Sequence, residues 1–385
     1  MRKSIFLILL IQLSCVIYIK AQEVKKVGGY NFTTIKEIKH TPVKNQASSG
    51  TCWSFSGISF IESELMRMGK GEFELSEMFV VRMAYKDKAA EYVRWQGAKN
   101  FGGGGAFHDV TNVIKKYGIL PDEAYTGLVI GEKKHNHNEM DAVLKAVVSQ
   151  LIRNLNRKLS PVWPQAIDGI LDAYLGKIPE NFIYKGKNYT PRSFTNELGI
   201  NPDDYVEITS YTHHPFYSKF IIEVPDNWSG DEVYNVPLAE FKEILDYAIM
   251  NGYGIGWGSD VSDEGFSFKN GVAIVPEKNW EDIEKAEKDT IFKHPVKQKE
   301  ITQEFRQKGY DNYTLSDDHG MHIVGIAKDQ LGQKYYKVKN SWDTKSNDFG
   351  GYFYASEAFV LGLTMDIMIH KDALPKNIAK KLGIK

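Results

Sequence analysis

The feature that most constrains this chain is a cysteine at the junction of a loop of small residues with an apolar helix. Cys52 follows the run Gln-Ala-Ser-Ser-Gly-Thr at 46–51, and apolar residues then recur every three or four positions as far as Met68. A thiol in the first turn of a helix faces unpaired N–H groups and the positive end of the helix dipole, which favour the thiolate. The sequence therefore predicts a helix over 52–68 that begins with a reactive nucleophile.

Composition excludes some classes of protein. The chain has 385 residues, a net charge of −1 and 42% hydrophobic residues, which is typical of a globular protein large enough for two or more subdomains. Its charge is nearly balanced and no basic run is present, so nucleic acid is excluded as the main partner.

The N-terminus is typical of an export signal. Arg2 and Lys3 precede an apolar stretch over 5–19, and Ala21 offers a small residue for cleavage. The alternative is an uncleaved membrane anchor, but the stretch is short for a bilayer span. We therefore predict a signal peptide over 1–21, a periplasmic or extracellular location and no stable membrane insertion after cleavage. Loss of Cys15 with the signal leaves Cys52 without an internal disulfide partner.

The rest of the chain divides into three predicted segments. Residues 22–130 form a helical half that carries the nucleophile, and residues 131–237 form a mainly helical insertion with an amphipathic stripe over 140–155. Residues 238–385 begin with a helix and continue as short runs of Val, Ile and Tyr broken by glycines, which indicates a β-rich half that ends in a C-terminal tail. The fold class is α+β.

A cysteine nucleophile needs a base, a group that orients the base, and donors for the oxyanion. We predict His322 as the base because it opens an apolar strand, and Asn340 as the orienting group because a hairpin over 18 residues brings the two side by side. His319, just before the apolar run, is the alternative base. Gln46 is the predicted side-chain donor to the oxyanion, together with the backbone N–H of Cys52.

This ordered set of residues resembles the papain-like cysteine peptidases. The matching positions are Gln46, Gly50, Cys52 and Trp53 at the nucleophile, His322 at the base, Asn340, Ser341 and Trp342 at the third member, and Gly104 and Gly105 as a cleft-lining glycine pair. The resemblance implies a papain-like fold with a helical left half and an antiparallel, barrel-like β right half. It also implies that Gly104 and Gly105 bind substrate, and that Trp53 and Trp342 support the site.

Within that superfamily the chain resembles the bleomycin hydrolase and aminopeptidase C branch. His322 and Asn340 lie 270 and 288 residues after Cys52, against about 130–150 in papain relatives, and the helical insertion accounts for the excess. The branch places its C-terminal carboxylate in the cleft to bind the substrate's free amine, which implies an aminopeptidase. Here the tail carries Lys380, Lys381 and Lys385, which disfavour an amine. The branch is mostly cytosolic and hexameric, so an exported member departs from it, and we leave the oligomeric state open.

Peptides are therefore the expected substrates, hydrolysed through a thioester without a cofactor. Two alternatives of similar fold remain, a cysteine endopeptidase and a non-catalytic peptide-binding protein. A metal site is a third alternative, with donors at Asp317, Asp318, His319 and His322, at His213 and His214, and at His135 and His137; none has a standard metal spacing. A serine hydrolase is excluded because no Gly-x-Ser-x-Gly elbow occurs.

Overall fold

The computed structural model describes residues 24–27, 29–153 and 158–385, so the predicted signal peptide and Cys15 lie outside the described residues. The helices are α1 Cys52–Arg67, α2 Glu77–Arg94, α3 Phe107–Tyr117, α4 Asn138–Ile152, α5 Trp163–Leu175, α6 Pro191–Leu198, α7 Leu238–Met250, α8 Lys285–Lys288, α9 Gln303–Asp311, α10 Glu357–Leu363 and α11 Lys376–Lys381. The strands are β1 Val24–Val27, β2 Tyr30–Glu37, β3 Phe182–Tyr184, β4 Lys187–Tyr189, β5 Tyr205–Thr209, β6 Lys219–Ile221, β7 Glu232–Asn235, β8 Ile255–Ser259, β9 Phe266–Ser267, β10 Val272–Ala273, β11 His319–Lys328, β12 Lys334–Lys339, β13 Tyr352–Ser356 and β14 Thr364–His370.

Helix α1 begins at Cys52, as predicted, and is the central helix of the left half. It is buried along nearly its whole length, so it packs on several sides rather than along one stripe. Small residues make this possible: a Cβ on Gly57 would lie 2.7 Å from Cγ2 of Val110 in α3. The next helix, α2, begins at Glu77 because the hydroxyl of Ser76, the residue before it, accepts a hydrogen bond of 3.0 Å from the N–H of Phe79.

The right half contains one long sheet. The sequence predicted a barrel-like arrangement, but this sheet stays open. Among the described residues its strands follow the order β6-β7-β5-β14-β8-β11-β12-β13-β10-β9, with β2 pairing to β11 and β1 to β2. Two of the pairs, β5 with β7 and β10 with β13, are parallel. The sheet stays open because β5, β7 and β6 extend it beyond β14, which leaves β6 and β9 at opposite ends of the strand order.

Strand β11 joins the two halves. On one edge it pairs with β12; on the other its first half pairs with β8 over His319–Ile323 and its second half with β2 over Gly325–Lys328. Helix α1 packs against its N-terminal part. A Cβ on Gly320 would lie 3.2 Å from Cα of Trp53 and 3.0 Å from Oγ of Ser56, so a larger residue would require α1 and β11 to move slightly apart.

The insertion has two parts. Its first part packs α4 and α5 on α2, while strands β5, β6 and β7 of its second part belong to the main sheet. The division of the chain at 131 and 237 stays a prediction, but the C-terminal part of the insertion is continuous with the β half. No helix within the described ranges is both long enough and apolar enough to cross a bilayer.

The C-terminal tail packs on the β half. Ile378 of α11 is fully buried in the same core as Phe241 and Leu245 of α7. Lys381 forms an ion pair with Glu240 of α7. Among the described residues, no hydrogen bond or ion pair joins residues 376–385 to the glycine run at 102–105.

A buried ion pair connects the helical half to strand β5. The Nδ1 atom of His108 in α3 lies 2.7 Å from Oε2 of Glu207, and the backbone N–H of His108 donates to Oε1 at 2.7 Å. Burial alone would lower the pKa of His108, but the Glu207 carboxylate outweighs burial and raises the pKa to about 10. Because this folded-state pKa exceeds the unfolded value of about 6.5, the stabilisation is complete below pH 6.5 and is lost as the pH rises towards 10.

We expect His108→Gln to lower the free energy of unfolding by about 3 kcal/mol at pH 6, because it removes one partner of a buried pair. The difference from the unmodified protein should shrink steadily as the pH rises to 10. Urea unfolding across this range measures it, with His294→Gln, an exposed histidine, as the matched control. A loss that is the same at both ends of the range would contradict the assignment of the pair.

Candidate active site

The thiol of Cys52 lies where the two halves meet. Thr51, the residue before α1, makes no side-chain cap, because its hydroxyl is paired with that of Ser49 at 2.6 Å. The first N–H groups of the helix are therefore open to the sulphur. Hydrogen bonds from the backbone N–H groups of Gly320 and Trp53 reach it, so Cys52 of the left half lies beside the start of β11 in the right half.

The expected resting thiolate is not what these surroundings favour. Burial and, to a smaller extent, the Asp317 and Asp226 carboxylates raise the pKa of the Cys52 thiol to about 12, against the two backbone N–H groups that lower it. The helix N-terminus by itself does not overcome desolvation. The thiol is therefore protonated in the free protein and needs a neighbouring base before it can act as a nucleophile.

The imidazole paired with Asn340 is that of His319. Its Nε2 lies 2.8 Å from Oδ1 of Asn340, which also accepts the N–H of Ser341 at 2.7 Å. Because Oδ1 can only accept, Nε2 of the neutral ring carries the proton and Nδ1 is left as a proton acceptor. The Trp342 ring covers His319 at a centroid distance of 4.6 Å, and burial lowers the pKa of His319 to about 4.

The prediction that His322 pairs with Asn340 is wrong. The Nδ1 atom of His322 lies 2.9 Å from Oγ of Ser59. Ser59 is seven residues after Cys52, and at 1.5 Å of rise per residue it lies about 10 Å further along α1. Lys339 donates a hydrogen bond to the same Ser59 oxygen at 2.7 Å. The Ser59 hydroxyl therefore donates its own hydrogen bond to Nδ1, which must be unprotonated, so His322 is neutral. Burial and Lys339 hold the pKa of His322 well below its usual value.

The error has a simple geometric cause. The base is expected at the start of the strand, and β11 starts at His319 rather than at the apolar run near His322. Side chains three positions apart in a strand point to opposite faces. His319 therefore faces Trp342, whereas His322 faces the interior beneath α1, with its Nε2 2.5 Å from where a Cβ on Gly254 would lie.

Gln46, the predicted oxyanion donor, lies beside the hydrogen bonds of Asn340 and Ser341. Its Oε1 accepts from the Ser341 hydroxyl at 2.6 Å, and its backbone N–H donates to the Ser341 carbonyl at 2.8 Å. These two bonds fix the amide so that Nε2 is the group left to donate. Asn45 and Asp343 add a 3.0 Å bond on the same loop, which keeps the residues before Cys52 against the turn that carries Asn340.

The glycine run lies against the indole of Trp53. The Nε1 atom of Trp53 donates to the Gly103 carbonyl at 2.9 Å, and a Cβ on Gly105 would lie 2.9 Å from the Trp53 ring. A Cβ on Gly104 would lie 2.0 Å from Oδ2 of Asp226. Gly104 and Gly105 therefore lie near Trp53, and their binding of substrate stays a prediction. A loop of the insertion that the sequence did not identify lies over Gly104.

Within the described part of the chain, the structure leaves one candidate place for the metal site considered above. Among the described residues, one group has donor atoms close enough for a shared ion: His213, His214 and Glu223. Their atoms are already paired, with Nε2 of the two histidines 3.1 and 2.8 Å from the Glu223 oxygens. Gln307 donates to Nδ1 of His213 at 3.1 Å, which puts the proton of that ring on Nε2, where a metal would need a lone pair.

The reactivity of Cys52 distinguishes His319 from His322 as its base. We expect His319→Gln to slow alkylation of Cys52 by iodoacetamide at pH 7 by at least about tenfold, because the thiol loses its proton acceptor. His322→Gln should leave the rate unchanged and lower the free energy of unfolding by about 2 kcal/mol, because a buried hydrogen-bonded ring is lost. Mass spectrometry of the modified protein measures the rate; a slow rate in His322→Gln with normal reactivity in His319→Gln would reverse the assignment.

A family model and curated relatives match most of this chain. The model of the peptidase C1-like family matches residues 15–163 and 173–384. Aminopeptidase C of Streptococcus thermophilus is 25% identical over 376 residues, covering 86% of this chain and 81% of its own. Aminopeptidase C of Lactobacillus delbrueckii subsp. lactis is 23% identical over 386 residues, covering 89% and 82%, and the mitochondrial cysteine proteinase 1 of Saccharomyces cerevisiae is 23% identical over 402 residues, covering 91% and 79%.

A solved structure also shares the fold. The crystal structure of PepW from Lactobacillus rhamnosis HN001 superposes with a TM-score of 0.70 at 22% identity, covering 91% of this chain and 84% of its own. The papain-like fold and the resemblance to the aminopeptidase C branch are thereby confirmed. The match of the family model to nearly all of the described residues shows that this chain belongs to the peptidase C1-like family and is a cysteine-type peptidase.

Proposed function

We propose that the protein is an exported cysteine aminopeptidase that acts through Cys52, His319 and Asn340, with Gln46 as an oxyanion donor. The observation that carries the catalytic assignment is the 2.8 Å contact between Nε2 of His319 and Oδ1 of Asn340. It leaves Nδ1 of the same ring as a base, at the point where β11 brings the backbone N–H of Gly320 to the Cys52 sulphur.

The first half of the reaction forms a thioester. Nδ1 of His319 takes the proton of the Cys52 thiol as the sulphur attacks the substrate carbonyl carbon. The electron pair of the carbonyl bond moves to oxygen, which accepts hydrogen bonds from the backbone N–H of Cys52 and from Nε2 of Gln46. The oxyanion then collapses, the C–N bond breaks, and the proton on Nδ1 passes to the leaving amine.

The second half returns the enzyme to its starting state. A water molecule gives a proton to Nδ1 of His319 and attacks the thioester carbonyl, with the same two donors holding the oxyanion. The C–S bond breaks, the acid product leaves and the proton returns to sulphur. Asn340 keeps the ring oriented throughout, and Trp342 shields their hydrogen bond from water, which strengthens it.

Two observations favour an aminopeptidase over an endopeptidase. The relatives named above include aminopeptidases C at 25% and 23% identity. In addition, the space beside Trp53 and Gly105 is closed by Ile222, Val224 and Asn227, leaving a cavity of about 20 Å³. A loop of the insertion packed beside Trp53 favours a cleft with one closed end, which suits the removal of N-terminal residues.

The test uses the mature protein with two fluorogenic amides of the same residue, one with a free α-amine and one N-acetylated. We expect cleavage of the free-amine substrate alone, and complete loss of cleavage in Cys52→Ala. Cleavage of both substrates would favour the endopeptidase. Absence of Cys52-dependent cleavage of either would favour a peptide-binding protein and would refute the proposal.

The oxyanion role of Gln46 gives a separate prediction. We expect Gln46→Ala to lower kcat by about a hundredfold with little change in KM, because the lost hydrogen bond forms mainly in the transition state. Gln150→Ala, at an exposed position of α4, is the matched control and should leave both constants unchanged. A rise in KM without a fall in kcat would assign Gln46 to substrate binding instead.

Export is proposed from the sequence of residues 1–21. Expression of the full chain in a bacterial host, followed by fractionation and N-terminal sequencing of the recovered protein, tests it. A mature N-terminus at Gln22 in the periplasm or the medium is the expected outcome, and full-length protein retained in the cytosol or the membrane would overturn it.

A further inference from the structure

The carboxylate of Asp226 lies over the glycine run without an ion-pair partner among the described residues. Its Oδ2 would be 2.0 Å from a Cβ on Gly104, so the carboxylate rests directly on the glycine backbone. Asn100 donates to the other oxygen, Oδ1, at 3.2 Å. No described residue donates a hydrogen bond to Oδ2, which leaves this oxygen free for a ligand.

The loop that carries Asp226 is rigidly built. The side chain of buried Asn227 donates to the carbonyls of Ile222 and Asp231 at 3.2 and 2.9 Å, and its Oδ1 accepts the N–H groups of Gly230 and Asp231, both at 3.0 Å. Trp228 then fastens the loop to the left half, since its Nε1 donates to Oδ2 of Asp109 at 2.9 Å. The hydrogen bonds of Asn227 and Trp228, the two residues that follow Asp226, therefore hold Asp226 in position.

The glycine run beneath Asp226 is held just as firmly. The ammonium of buried Lys88 donates to the Gly102 carbonyl at 2.9 Å and to that of Gly104. Lys88 attracts the Asp226 charge from below without forming an ion pair within 4 Å among the described contacts. A substrate group bound between Asp226 and the nucleophile would therefore meet a fixed carboxylate on one side and a fixed glycine backbone on the other.

Charge identifies the chemistry of that group. Burial raises the pKa of Asp226, so the site favours a ligand that compensates the carboxylate's charge, and a peptide offers one such group near its scissile bond, the α-ammonium. The carboxylate also acts on the nucleophile electrostatically, since it is one of the groups that raise the pKa of Cys52.

The same loop also borders the surroundings of the nucleophile. Ile222, Val224 and Asn227 bound the narrow cavity whose other wall includes Trp53 and Gly320, both beside the thiol. A loop in this position is placed to limit how far a substrate extends on the N-terminal side of its first residue. The C-terminal tail does not supply this limit, because Lys381 and Ile378 hold it on α7.

We propose that Asp226 binds the free α-ammonium group of the substrate, and that the loop 222–228 ends the cleft one residue beyond the scissile bond. This inference rests on the proposed function and specifies it: the specificity for an N-terminal residue comes from an internal loop of the insertion and not from the chain's C-terminal carboxylate. An N-acylated substrate is excluded twice, because it lacks the positive charge and because its acyl group meets the loop.

Kinetics with the Asp226→Asn variant test the charge recognition. With alanyl, leucyl and lysyl aminomethylcoumarin amides we expect KM to rise at least tenfold while kcat changes less than threefold, because the ammonium contact is lost and the reacting groups stay in place. The matched control is Glu232→Gln, an exposed acid on β7 outside the loop 222–228; it should leave both constants unchanged. An unchanged KM in Asp226→Asn would overturn the proposal while Cys52-dependent cleavage still supported the peptidase assignment.

A protection experiment tests the same contact without turnover. Leucine amide should slow alkylation of Cys52 by iodoacetamide in the unmodified protein, and N-acetyl-leucine amide at equal concentration should not. In Asp226→Asn the protection by leucine amide should disappear, while alkylation without ligand shows that the thiol remains accessible and the fold intact. Equal protection by both ligands, or protection that survives in Asp226→Asn, would refute amine recognition by Asp226 even if no amide were cleaved.

Discussion

The contact on which the site depends is the packing of the N-terminus of α1 against β11 at Gly320. A Cβ at position 320 would lie 3.2 Å from Cα of Trp53, so glycine here lets the helix approach the strand without displacement. That approach brings the thiol of one half to the histidine at the strand's start in the other half. The active site is consequently an interface between two halves, and a shift of the helix along the strand would separate the nucleophile from its base.

Desolvation explains much of the chemistry at this interface. The same burial that raises the pKa of Cys52 to about 12 lowers that of His319 to about 4. Both groups are therefore neutral in the free protein, and charge is created only when the proton moves between them. Asn340 and Trp342 hold the ring where it can accept that proton, which assigns them a positioning role rather than a direct part in the chemistry.

A second histidine at the interface serves packing and hydrogen bonding instead. His322 accepts from Ser59, whose oxygen is fixed by Lys339, and this buried network fastens β11 and β12 to the middle of α1. The strand thus carries two histidines with separate roles. One, at its start, faces the cleft, and the other, three residues later, lies beneath the helix.

Local sequence was sufficient for the elements and for most members of the site. Periodicity predicted α1 and its start at Cys52, and Gln46, Asn340 and Trp342 lie in one network through Ser341 and His319. The choice between His319 and His322 needed the register of β11, because strand pairing with β8 extends the strand beyond its apolar run. Likewise, the position of Asp226 over Gly104 follows from a loop folding across more than 100 residues of chain, and the open sheet follows from strands of the insertion adding to its edge. Such long-range placements depend on packing and pairing between distant segments, which no local pattern of residues encodes.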